Sequence, residues 1–516
     1  MKNILLLPIN VLFIAIYLLP AQPTIQWQKS FGGSEFETAQ AVRQTNDGGF
    51  ITCGYSLSTD GDVTENHGLY DFLVVKFDHS GSTSWEKSFG GSNNDWAYDV
   101  QQTPDGGYIL AGITLSDDGN VTGFQGYIDA WVIKLNSNGD LQWQKTYGGS
   151  GWDELWSIEL TNDGGYILAG HSNSSDGDVG GTHDTTLDCW LVKLDSIGNI
   201  QWQKTYGGSH EDSGRSIRQT SDGGYIVIGN AKSVDGDVAE QKGNGDFWVL
   251  KLDYSGNIEW QKSLGGTSLD VGCEIHEISD GYIACGYMGS NNGDVTGYHG
   301  YLDGWAIKLS KTGELIWQKA LGGNKSDWIY AGTPTPDGGY VAVGTVVSTD
   351  GDVTNHNGQK DIWIVKLNAN GELVWEKCLG GSFVEGGESI ATTSDGGLVV
   401  AGYAYSTDGD LTENKGIQDI WVVKLSPEIV GVASPFALDS KALEIFPNPA
   451  QQAISMRIPE STVFQVCILD MQGREMLRHG VGKNGELDIS TLCKGFYLAL
   501  ARSESGELFS GKFVKE

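Results

Sequence analysis

The sequence has little positive charge, few cysteines and scarcely any uninterrupted apolar length. Lysine and arginine number 33 against 66 aspartates and glutamates, a formal net charge of −33. Nucleic acid and anionic membranes are poor partners for such a surface, because phosphate groups need Lys and Arg; cations or neutral glycans suit it better. The seven cysteines (Cys53, Cys189, Cys273, Cys285, Cys378, Cys467 and Cys493) cannot all pair, and no C-x-x-C spacing suggests zinc or a redox pair. Cys53 and Cys285 replace the alanine of a recurring Ala-Gly step, as small apolar fillers would. Cys467 and Cys493 alone share the C-terminal region and are left as a candidate pair. The longest apolar run, Ile4 to Leu19, is broken by Pro8 and Asn10 and is shorter than the ~20 residues that span a bilayer. With Lys2 before it and Ala21 near its end, residues 1–22 read as a signal peptide, and no other run could cross a membrane once it is cleaved. Catalytic motifs are also missing: there is no H-E-x-x-H, no G-x-S-x-G elbow and no phosphate loop. The histidines are scattered, and His67 and His299 share a loop position four repeats apart. Among 66 acidic residues some pair always lies at a glycosidase spacing, so that signal has no weight.

Glycine (74) and tryptophan (17) are abundant, and both recur. An anchoring Trp returns at Trp27, Trp85, Trp143, Trp202, Trp260, Trp317 and Trp375, at steps of 57 to 59 residues. A fixed period of this length defines a repeat architecture. Each unit holds four segments with strand preferences, in the second copy Tyr98–Thr103, Tyr108–Gly112, Ala130–Asn136 and Leu141–Tyr147, here strands a to d. A Thr-x-Asp-Gly-Gly turn links a to b, in which glycine supplies positive φ. A longer loop carrying Asp-Gly-Asp links b to c, and Gly-Gly-Ser-x-x-Asp leads from d to the next a. Seven four-stranded meanders predict an all-β fold, a seven-bladed β-propeller. The chain opens with a lone d strand, Ile25–Phe31, and its last unit stops at strand c, Ile420–Leu425. A closed ring needs that offset, since the two ends then share one blade and leave no free sheet edge; an open solenoid has no use for it. Pro334 in strand a of the sixth copy fits an edge strand.

Residues present in every copy read as scaffold. Strand c repeats Asp-x-Trp-x-x-Lys (Trp131, Trp190, Trp248, Trp305, Trp363, Trp421, with Phe72 once), and indoles present in all units pack between sheets. The recurring Lys87, Lys134 and Lys145 are expected to pair with carboxylates between blades. The acidic residue five after the first Gly of Gly-Gly (Glu37, Asp95, Asp153, Asp212, Asp270, Asp327, Glu385) is likewise a column. The Asp-Gly-Asp loops place Asp60 and Asp62, Asp176 and Asp178, Asp235 and Asp237, Asp350 and Asp352, and Asp408 and Asp410 as candidate Ca²⁺ ligands, with Asp118-Gly-Asn and Asn-Gly-Asp294 as variants. Asp side chains bracing their own turns explain the same pattern. The four tryptophans outside the packing columns fall where the copies differ, at the start of strand a. Trp96, Tyr98, Trp152, Trp156, Trp328 and Tyr330 are therefore candidate ligand-binding residues at the channel mouth, on the face shared by the d–a and b–c loops. Plugging of the channel is the competing role.

The ordered set GGS-x-x-D, DGGYI-x-aG and D-x-W-V-x-KL resembles the bacterial seven-bladed β-propeller repeat family over residues 24–426. That resemblance implies a fold and an extracellular setting more firmly than an activity. After a linker at 427–441, residues 442–516 resemble the type A sorting domain of the type IX secretion system. The matching motifs are Phe446-Pro447-Asn448-Pro449, Asp470 through Gly473-Arg474, Leu487 to Ser490, Gly495-Phe496-Tyr497 and Lys512-Phe513-Val514. The resemblance implies an antiparallel sandwich that engages the secretion machinery, directs passage across the outer membrane of a Gram-negative bacterium and is removed, leaving the rest released or surface-anchored. The expected function is a secreted or cell-surface binding or structural module for a glycan or protein, and not an enzyme. A glycan hydrolase or lyase using the same mouth is the alternative.

Overall fold

The computed structural model describes residues 22–181, 186–428, 441–457, 463–469, 475–482, 486–503 and 508–515. The signal peptide (save Gln22), most of the linker and the Asp470–Arg474 motif lie outside them. Every regular element among the described residues is a strand, and no helix is long and apolar enough to cross a membrane. The chain divides into two compact units, Thr24–Pro427 and one holding Glu428–Glu516.

The first unit is built from seven four-stranded antiparallel sheets, in each of which the strands lie in chain order a-b-c-d. In the second sheet they are Asp95–Gln102, Tyr108–Thr114, Asp129–Leu135 and Leu141–Tyr147. The seventh is completed from the other end of the chain: Ile25–Phe31 pairs antiparallel with Asp419–Leu425, as the displaced strand requires. Seven apolar clusters fill the spaces between successive sheets, and the set is cyclic. In the last of them Val399, Ala401, Ile420 and Val422 of sheet seven pack with Phe31, Val42, Phe50 and Leu73. The strand-c tryptophans are all 1% exposed or less. The strand-d indoles cross to the next sheet, as Trp85 does to Tyr108 (ring centroids 5.7 Å) and Trp143 to Tyr166 (6.4 Å). Burying these ring faces between sheets is the largest apolar contribution available to such thin layers.

Local chemistry fixes each hairpin. In the second sheet the Thr103 hydroxyl (2.5 Å) and the Gly107 N–H (3.0 Å) both donate to Asp105 Oδ1, and Gly106 takes φ 82°. Lys134 Nζ lies 3.0 Å from Asp105 Oδ2. Partial burial opposes ionisation of Asp105, but Thr103, Lys134 and Gly107 outweigh it and hold its pKa at about 2. The same Lys–Asp pair recurs in all seven sheets, so the strand-c lysines pair within a sheet and not between sheets as expected. Pairing at home is favoured because strand c lies beside strand b, whose turn presents the Asp. Lys145 does reach the neighbouring sheet, but to the Asn199 amide oxygen (2.8 Å) rather than to a carboxylate. Pro334 ends the edge strand Trp328–Pro334, where its missing N–H breaks no ladder.

In the second unit a five-stranded and a three-stranded sheet share one core around Ile454, Met456, Ile468, Ile489 and Phe513. Asn448 explains part of the motif pattern. Its amide donates to the Lys512 carbonyl (3.0 Å), and its Oδ1 accepts the Val514 N–H (3.0 Å), clamping the final strand. No disulfide joins the seven cysteines among the described residues.

Candidate ligand-binding site

The d–a and b–c loops share a face because they are hydrogen-bonded to each other. Ser150 N–H donates to Asp176 Oδ1 (2.7 Å), and Gly148 N–H to Asp178 Oδ2 (3.4 Å). Equivalent bonds join Asp60 to Ser34, Asp235 to Ser209, Asp350 to Asn324 and Asp408 to Ser382. The second carboxylates, Asp62, Asp237, Asp352 and Asp410, receive the N–H of Gly32, Gly207, Gly322 and Gly380. The ten candidate metal ligands are thus engaged by backbone donors of the adjoining loop rather than by their own turns. Among the described residues no group of three or more His, Cys, Asp or Glu side chains is arranged to hold a metal ion.

A second acidic layer lies beneath. Asp153 is fully buried and accepts Gly149 N–H (2.8 Å) and the hydroxyls of Ser172 and Ser174 (2.7 Å for the latter). Facing it across Gly148 is the strand-c Asp129; a Cβ on Gly148 would stand 2.7 Å from Asp153 and 3.0 Å from Asp129, so only glycine fits. Burial first, then the neighbouring carboxylates Asp153 and Asp178, push Asp129 up to about 7, and its Oδ1 has no hydrogen-bond partner. His67 and His299, which share a position in sequence, are not brought together; each contacts its own strand-c aspartate, Asp71 (2.6 Å) and Asp303 (3.0 Å).

Every strand a carries a β-bulge, and the bulged residue turns inward. The register slips at Gln40, Tyr98, Trp156, Arg215, Cys273, Tyr330 and Glu388, one per sheet, and these seven line a single cavity of about 110 Å³. Three of the sequence-derived site residues, Tyr98, Trp156 and Tyr330, meet there. Trp96, Trp152 and Trp328 lie nearer the strand start; Trp96 and Trp328 are half-buried and Trp152 is 38% exposed. Trp152 and Trp156 form one cluster, both indole N–H groups donating to Glu154 (2.6 Å each), with the His171 ring 5.9 and 4.5 Å from the two rings. Trp96 packs with Tyr55 (5.8 Å) and Tyr70 (6.3 Å), and its N–H has no partner. Lys360 Nζ stands over Trp328 at 5.3 Å.

Sequence reasoning missed the second-strand residues opposite these positions, Tyr55, His171, Asn230, Tyr287 and Tyr403. Their signal is the position three before the loop serine that follows strand b (Ser58, Ser174, Ser233, Ser290 and Ser406), variable directly after a uniform glycine. It also missed the charged floor. Arg43 pairs with Asp99 (2.9 Å), which in turn accepts Ile158 N–H (3.1 Å); Arg218 pairs with Glu274 and stands 4.0 Å from Glu159. Burial alone pushes Glu388 up to about 7.

The geometry defines an all-β repeat protein with an asymmetric, aromatic-lined cavity. Residues 444–516 match the family described as the secretion system C-terminal sorting domain. A chain bearing that domain is exported by type IX secretion, and the protein is secreted or held on the outer surface of a Gram-negative bacterium. Regulatory protein FlaEY of Caulobacter vibrioides is 23% identical over 418 residues, covering 70% of this chain; the chain spans 42% of that protein's length. Among solved structures, Drosophila Semaphorin 2a aligns with a TM-score of 0.43 at 8% identity, over 95% of this chain and 97% of that one. The extracellular domain of a hybrid two-component system from B. thetaiotaomicron aligns with a TM-score of 0.40 at 9% identity, over 93% and 56%.

Proposed function

We propose that residues 24–426 form a closed seven-bladed β-propeller that acts, at the cell surface or after release, as a binding module for a glycan or protein, delivered by residues 442–516 through the type IX machinery. The cyclic order of the seven cores and the shared last sheet support the ring. One observation carries the function: the bulge position faces a common cavity from all seven sheets, yet holds six different residue types, while the surrounding scaffold columns repeat. A channel that only needed plugging has no use for an arginine and a glutamate among the aromatics. Trp and Tyr offer large, rigid contact area with one polar end, suited to sugar rings or a partner protein.

The test is the variant Trp96→Ala/Trp152→Ala/Trp328→Ala on a glycan array and on whole cells. Binding should fall at least tenfold with the fold intact; unchanged binding rejects these residues as the site. Glycan cleavage is the second reading, favoured by Glu388, whose raised pKa suits a general acid. New reducing or unsaturated ends from a polysaccharide panel, lost in Glu388→Gln, would establish it.

A further inference from the structure

We propose that the pocket beside Arg215 takes a carboxylated sugar residue, a uronic-acid-type unit of a glycan, with the guanidinium on the carboxylate and the Trp152–Trp156 cluster against the ring. The proposal rests on the binding-module reading and names its ligand class. Only three arginines occur in the repeats, Arg43, Arg215 and Arg218, and all three line the central cavity. Arg43 and Arg218 are committed to Asp99 and Glu274. Arg215, the bulged residue of the fourth sheet, is exposed and has no carboxylate partner among the described residues, in a chain of net charge −33. Acids are not lacking nearby, but they are taken. Glu154 accepts both indole N–H groups, Glu211 pairs with Lys232, and Asp212 accepts Gly208 N–H and the Ser233 hydroxyl. No carboxylate of the described residues stands within ion-pair distance of this guanidinium, Glu388 of the same cavity included, which leaves a fixed site for an anion from outside.

The site is also built in advance. The Arg215 guanidinium lies 4.9 Å from the Trp156 ring centre, a cation–π contact, and Trp156 is held by Glu154 and His171. Holding both groups before the ligand arrives lowers the ordering cost of binding. The adjoining pocket, about 180 Å³, is walled by Trp156, Ser213, Asn230 and Val271, combining apolar faces with hydrogen-bonding groups in a volume that suits one sugar ring. Arginine's planar fork matches a carboxylate bidentately, which a lysine does not. The exposed Trp152 extends the apolar wall outward, which favours a ring-shaped ligand over an extended acidic peptide.

The experiment measures binding of the full chain to a galacturonate oligosaccharide, to its carboxyl-reduced counterpart, to a neutral glucan oligosaccharide and to an acidic Glu-rich peptide. The galacturonate should bind at least about tenfold more tightly than the reduced and neutral probes, less so at high salt. Arg215→Gln should remove that preference while leaving the melting temperature unchanged, and Arg215→Lys should restore it only in part. Equal binding of reduced and unreduced probes, or an Arg215→Gln variant that keeps the preference, overturns the proposal while the binding-module reading survives. Arg215-dependent binding of the peptide alone overturns it in favour of a protein ligand. No binding of any probe overturns it as well, and if the tryptophan variant also leaves cell binding unchanged, the underlying reading falls with it.

Discussion

Asp153 and Trp156 lie three residues apart on one strand, and across the seven sheets their positions obey opposite rules. The Asp153 column is acidic in every sheet, buried, and bonded to the same backbone N–H and, in most sheets, a serine hydroxyl. The Trp156 column reads Gln, Tyr, Trp, Arg, Cys, Tyr, Glu around one cavity. A side chain that satisfies a backbone demand must repeat wherever the backbone repeats. A position freed of ladder pairing by a bulge carries no such demand, and its asymmetry is the observation on which the proposed binding role rests. Uniformity therefore marks scaffold, and variation marks the candidate site.

Breaking the scaffold should cost most at sheet seven, where the two ends of the repeat region meet. Deleting residues 24–31 removes the fourth strand of sheet seven, with Phe31 and Trp27 from the seventh core, and exposes the edge of Asp419–Leu425. The loss should exceed about 5 kcal/mol by denaturant unfolding, given the usual cost of two large aromatics alone; a deletion that melts like the parent would show that the seam is not closed by this strand. Next, Asp153→Ala leaves a buried N–H and two hydroxyls without their acceptor and should cost about 3 kcal/mol or more. Gln40→Ala, in the bulge column, should cost under about 0.5 kcal/mol. Equal costs at the two positions would erase the distinction between them.

The repeat made the fold readable. Seven copies of one turn and strand pattern outweigh the ambiguity of any single strand, and the predicted strands b and d of the second unit match the structure within two residues. The sequence pattern starts strand a at Tyr98, whereas the strand begins at Asp95. The bulge is the cause: one unpaired residue breaks the two-residue alternation, so the three residues before it read as loop. For the same reason the aromatics could be placed at the mouth, but Arg215, Cys273 and Glu388 could not be joined to them. Once the bulge is included they fall on one column. The strand-b partners were hidden differently, since register across a hairpin decides which residue stands opposite Trp96 or Glu154.

A third break acts on charge. Burial, aided by facing carboxylates, raises Asp129 and Asp361 to about 7 and Asp95, Asp246, Asp303 and Asp419 to about 6. A carboxyl whose folded pKa is raised contributes stability that is full below its unfolded value near 4 and is lost as pH rises through the folded value. The melting temperature should therefore climb as pH falls from 8 to 5. The hairpin aspartates Asp47, Asp105, Asp163 and Asp222, held near 2, act in the opposite sense and withdraw stability only below about pH 4. A melting temperature flat from pH 5 to 8 would mean that the buried aspartates are better solvated, or better paired, than their surroundings indicate.

A small effect separates calcium from bracing. Two sheets already carry the neutral substitution: Asn120 accepts Gly90 N–H (3.1 Å) and Asn292 accepts Thr267 N–H (2.9 Å), at the positions held elsewhere by Asp178 and Asp176. An amide oxygen accepts a backbone N–H as a carboxylate does, but it surrenders the charge that draws a divalent cation. If these side chains brace the neighbouring loop, Asp350→Asn with Asp352→Asn keeps both acceptors. It should then cost less than about 1 kcal/mol, and a chelator should not move the melting temperature of either protein. If calcium is held, chelation destabilises the parent through linked binding, and the double variant loses part of that response. A chelator-sensitive parent with an insensitive variant would overturn the bracing role and turn the most uniform loops of the molecule into its metal sites.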